Sequence, residues 1–174
     1  MLSCVDTVNP DWEQRLAHAW TSFDGDGDGD PAEFRALIDR LAAELPEGSA
    51  VADFERACAF DSTGAPDQAI PLYRNALATG LAGIRRRRAV IQLASSLRNL
   101  GHPEDSVALL TNELDASSDI LDDAVRAFLA LALTDVGRER EAVSLALSTL
   151  GPHLPRYQRS LGNYARLLVE PERA

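Results

Sequence analysis

The chain is expected to be all-α: a stack of helix hairpins, with extra helices before it and a capping helix after it. Three observations predict this. Apolar residues recur at helical spacing along nearly the whole sequence. No stretch alternates between apolar and polar residues with hairpin turns at its ends, as a half-buried strand would. From Ser49 onward the chain repeats itself, with Gly64, Gly101 and Gly137 lying 37 and 36 residues apart. The expected segments are 1–48, holding N-terminal helices and an acidic Gly/Asp loop; 49–154, holding three helix pairs; and 155–174, holding a capping helix and tail.

In the first segment, Trp12, Leu16, Trp20 and Phe23 share one face of a helix opened by Pro10-Asp11. The tract Asp24 to Asp30 is expected to break it. Asp30-Pro31-Ala32-Glu33 then reads as a helix start, with Asp30 as cap, Pro31 in the first turn and Glu33 at the capping-box position. Phe34, Leu37, Ile38, Leu41 and Leu45 follow at helical spacing, and Pro46 closes the helix.

The repeat carries the most information. Seven residues before each glycine stands Ala57, Ala94 or Ala130, and four before stands Phe60, Leu97 or Leu133. Five after each glycine comes a small residue, Ala69, Ser106 or Ala142. Leucines follow eight and thirteen residues after it: Leu72, Leu109 and Leu145, then Leu77, Leu114 and Leu150. Glycine permits the left-handed backbone that ends the first helix of a pair. The two small residues let the paired helices approach closely, and the leucines fill the seam to the next hairpin. A hairpin cannot bury its apolar face alone, so its neighbours must stack on it. A last helix is expected from about Pro155 to Val169, with Tyr157, Leu161, Tyr164 and Leu168 as its apolar stripe.

Composition narrows the function. The 174 residues suit one domain or one short repeat array. Formal net charge is −10, which argues against a nucleic-acid partner because phosphate backbones repel an acidic chain. Every basic residue is arginine, and alanine is abundant, as in coding from a GC-rich bacterial genome. No apolar run approaches a membrane span. Met1 to Pro10 lacks the basic and apolar regions of a secretory signal. Two cysteines, Cys4 and Cys58, make no disulfide framework, so a reduced cytoplasmic setting is expected.

These columns resemble the tetratricopeptide repeat, most closely at Ala69, Tyr73 and Ala76. The other copies depart there, with Ser106, Leu110 and Glu113, then Ala142, Ala146 and Thr149. The stretch from Arg85 to Gly101, supported by Arg126 to Leu133, resembles the bacterial group 5 tetratricopeptide repeat family, and the likeness extends over roughly Phe54 to Leu168. The resemblance implies a right-handed solenoid of stacked helix hairpins, a protein-interaction role and a tendency to form homodimers. It implies no catalytic residues and no cofactor.

The same resemblance implies that the first helix of each pair lines a concave groove. Counting back from the repeat glycines then places Phe54, Arg88, Ile91, Ser95, Arg98, Asn99, Leu131 and Asp135 among the protein-binding residues. Arg88 and Arg98 are ten residues apart, nearly three helical turns, so both can face one groove. Arginine there suits a carboxylate held between apolar anchors. The partner expected is therefore a peptide or helix, bound in the groove or through the dimer interface.

Other candidate sites are weaker. Asp24 to Asp30 opens like an EF-hand loop, with Gly29 at the turn position, which gives a calcium-responsive helical protein as the alternative function. The loop then departs: Pro31 holds the eighth position and Arg35 the twelfth, where a bidentate Glu belongs. A flexible acidic linker is the plainer reading, and no metal is expected. His18, His102 and His153 have no ligand-spaced partners, and Cys58 sits among packing residues, so no enzyme is expected. Arg85 to Arg88 open a helix, where positive charge opposes the macrodipole. Either an internal acid such as Asp53, Glu55 or Asp61 offsets them, or an acidic ligand does.

Overall fold

The computed structural model describes the backbone of residues 9–26, 30–116 and 118–170. Among these residues it contains helices and no strand: α1 (Pro10–Asp26), α2 (Pro31–Ala42), α3 (Ala50–Ser62), α4 (Pro66–Ala78), α5 (Gly83–Asn99), α6 (Pro103–Ala116), α7 (Asp122–Asp135), α8 (Glu139–Leu150), a 3-10 turn (Gly151–His153) and α9 (Gln158–Leu167). The chain forms two compact units, Met1–Ser96 and Leu97–Ala174.

In the first unit each helix packs on the next, α1 on α2, α2 on α3 and α3 on α4. Asp30 caps α2 as expected, accepting from the Ala32 amide at 2.8 Å. Trp12, Leu16 and Ala19 of α1 are buried. The Trp12 indole donates to the Leu41 carbonyl at 2.8 Å, which satisfies the one polar atom this ring carries inward. Phe23 stacks on Phe34 at 4.0 Å between centroids, and Trp20 meets the same ring edge-on at 4.9 Å. Two boundaries differ from the sequence reading. Helix α1 continues through Gly25 to Asp26, and α2 stops at Ala42, before Leu45 and Pro46.

The repeat is realised at atomic level. Gly64, Gly101 and Gly137 have φ of 79°, 84° and 74°. The residue after each glycine bonds back to the carbonyl five residues earlier at the same distance: Ala65 to Phe60, His102 to Leu97 and Arg138 to Leu133, all 2.9 Å. Three copies of one Schellman turn therefore end α3, α5 and α7. The small residues flanking them, Ala57 and Ala69, Ala94 and Ser106, Ala130 and Ala142, are all buried. Close approach of α3 to α4 and of α7 to α8 follows, because any larger side chain in these columns would hold the axes apart.

In the second unit, α6 packs on α7, α7 on α8 and α8 on α9. Helix α9 starts at Gln158, later than Pro155. The Gln158 amide reaches back to the carbonyls of Pro152 and Leu154 at 3.1 and 2.8 Å, fixing the loop around Pro155. The expected stripe on α9 is corrected as well. Ala165 is buried and Leu161 and Leu168 are half-buried, whereas Tyr157 and Tyr164 face solvent.

Candidate interaction surface

Two arginines of the run at the start of α5, Arg85 and Arg88, have different surroundings. Arg85 sits between two carboxylates. Its two terminal nitrogens donate to Glu13 of α1 at 2.9 and 2.6 Å, and its Nε donates to Glu55 of α3 at 2.9 Å. Glu55 is buried, and burial pushes its carboxyl above the ordinary range while Arg85 pulls it back. The internal acid expected opposite this run is therefore Glu55, joined by Glu13. Asp53 is engaged elsewhere, accepting from Asn75 at 2.6 Å. Asp61 accepts from Ser96 at 2.8 Å and from the Tyr73 hydroxyl at 3.4 Å, and burial raises its carboxyl too.

Arg88 points differently. It is exposed, with its guanidinium 5.2 Å from the centroid of the Phe54 ring. Phe54 itself has no exposed surface, and Ile91 is buried. In this structure both are core residues, because α5 lies against α3 along this line. Ser95 is half-buried on α5. In the second unit, Arg98 is held by Asp135, Nε to Oδ2 at 2.5 Å and Nη2 to Oδ1 at 3.3 Å. The carboxylate expected from a ligand at Arg98 is thus supplied within the chain. Asn99 and Leu131 are exposed.

The chemistry-bearing candidates are placed as follows. Cys58 is fully buried and donates to Gln92 at 3.3 Å, and burial pushes its thiol up to about 12, so it packs as an apolar residue and is not a thiolate. His153 pairs with Asp123 at 2.9 Å on the surface. Of the Asp24–Asp30 tract, residues 27–29 lie outside the described residues, the backbone of 24–26 belongs to α1, and Asp30 is committed to capping α2. Among the described residues no group of three or more His, Cys, Asp or Glu side chains is placed to hold a metal ion. No helix among them is long and apolar enough to cross a membrane.

The sequence reading named Leu131 but not the rest of the apolar groove it lines between α7 and α8. It has a volume of about 590 Å³ and is lined by Ala127, Leu131, Val143, Ala146 and Leu150, with Asp123 and His153 at its rim. The signal that would have found it is positional: Ala127, Leu131, Val143 and Ala146 occupy the columns that the first copy of the repeat fills with the buried Phe54, Cys58, Ile70 and Tyr73.

A family model described as the tetratrico peptide repeat matches residues 50–168. With three equivalent hairpin turns already in view, the chain belongs to the tetratricopeptide repeat family. No curated protein and no solved structure matches it. Members of this family generally mediate protein–protein interaction and are typically non-catalytic.

Proposed function

We propose that this protein is a non-catalytic adaptor of the bacterial cytoplasm that binds an acidic peptide or helix on the outward face of α5, the first helix of its second pair. Arg88 carries the reading. It is an exposed guanidinium set on an aromatic face, with its planar donors available to a carboxylate. Ser95 lies two helical turns further along α5 and extends the polar line. Because Asp135 already answers Arg98, Arg88 is the stronger anchor for an external acid. The same reading has the protein acting as a homodimer, supported by the exposed Tyr164 and Leu167 on α9.

The test is capture of interacting proteins from a lysate of the source organism. Recovery should fall about tenfold or more with Arg88→Glu, since reversing a charge at a bound carboxylate costs more than about 1.4 kcal/mol. Arg159→Glu, an exposed reversal on α9, should leave recovery unchanged. Equal recovery from both variants removes Arg88 from the binding surface.

A further inference from the structure

We infer that the α7/α8 groove is a docking site for one amphipathic helix of a partner protein. This goes beyond the surface proposed above, and the chain's own first repeat supplies the template. There, the surface formed by α3 and α4 is covered by α5. Gln92 of α5 meets Cys58, Ser96 meets Asp61, and Arg88 lies on Phe54. Under that cover Phe54, Cys58, Ile70 and Tyr73 are all buried.

The same columns, counted from the repeat glycine, hold Ala127, Leu131, Val143 and Ala146 in the third repeat. Leu131 is 48% exposed and Val143 47%, with Leu150 beside them at 48%. These side chains stand where a covering helix is built in elsewhere in the molecule. Helix α9 follows at the position in sequence where that cover is due, but it is committed to α8. Its Ala165 is fully buried, and Arg140 of α8 donates to the Leu168 carbonyl at 3.0 Å. An exposed apolar strip of this kind on an acidic chain marks an interaction surface.

The column changes specify the occupant. Cys58, which donates to Gln92, becomes Leu131. Asp61, which binds Ser96, becomes Thr134, whose hydroxyl is spent on the Ala130 carbonyl at 3.0 Å. Phe54 and Tyr73 become Ala127 and Ala146, which leaves room. The helix that fits therefore follows the register of α5 but carries apolar residues where α5 has Arg88 and Gln92, and a small apolar residue where it has Ser96. Helix-in-groove recognition of this kind is read by i, i+4 and i+7 or i+8 anchors.

The probe is a fluorescently labelled synthetic peptide of residues 83–99 carrying Arg88→Leu, Gln92→Leu and Ser96→Ala, titrated with the full-length protein and followed by anisotropy. Saturable binding is expected, at least tenfold tighter than for the unmodified 83–99 peptide. Leu131→Glu and Val143→Glu, both surface changes expected to leave the fold intact by circular dichroism, should each weaken it at least tenfold, and Arg74→Glu, an exposed reversal on α4, should not. Absence of binding up to about 1 mM peptide, or binding indifferent to both groove variants, overturns the proposal. So does a light-scattering mass of twice 18.8 kDa that halves with Leu131→Glu, since a second copy would then be the occupant.

Discussion

Tyr73→Ala is expected to destabilise the protein by about 3–5 kcal/mol, the range for truncating a fully buried aromatic side chain. Tyr73 has no exposed surface, its ring lies 6.3 Å from that of Phe54, and its hydroxyl donates to Asp61. Removing the ring opens a cavity between α3 and α4, which are already packed on each other through buried alanines such as Ala57 and Ala69 and have little room to close in. Tyr73→Phe keeps the ring and loses only one long hydrogen bond, so its cost should stay near 1 kcal/mol. Urea denaturation of the two variants checks the pair. Equal costs would mean that the hydroxyl, and not the packing, holds this column together.

Arg85→Ala should cost a comparable amount, about 3–5 kcal/mol near neutral pH, because it takes the directly bonded cation away from the buried Glu55 carboxylate. The penalty depends on pH in a defined direction. Burial already raises the Glu55 carboxyl above its ordinary value of 4.5, and loss of Arg85 raises it further. A carboxyl whose folded value is raised favours the fold while protonated. Its contribution is full below the ordinary value and is lost as pH rises through the raised one. The deficit of Arg85→Ala against wild type should therefore grow from pH 5 to pH 8. Replacing both partners, Arg85→Met with Glu55→Met, removes the stranded charge and should recover most of the loss. A deficit that shrinks with pH would show that Glu55 is not the group left behind.

The parts of this fold legible in the sequence are those set by local backbone or by close contact. The three glycines announce left-handed turns, and the alanines around them announce near helix approach, because each requirement leaves one residue type. Asp30 as a cap was readable for the same reason. Glu55 opposite Arg85 was within reach, as it lies one hairpin away. Glu13 was not, since nothing local connects α1 to α5 across 72 residues.

The binding surface was harder to read, for a physical reason. Periodicity places Cys58 and Leu131 in one column, but whether a column is core or surface depends on whether another helix covers it. α5 covers Cys58, so that residue is buried, while Leu131 stands in the open. The α9 stripe failed on the same point: Ala165, not Tyr164, takes the contact with α8.

Equivalence of the three hairpins underlies both the fold and the groove, and the repeat glycines test it most directly. A Cβ built on Gly64, Gly101 or Gly137 meets nothing within 4 Å, so the cost of Gly→Ala at each is backbone strain alone. The three single variants should each lose about 1 kcal/mol in urea denaturation, and agree within about 0.5 kcal/mol. One glycine that accepts alanine freely while the other two do not would contradict the repeat.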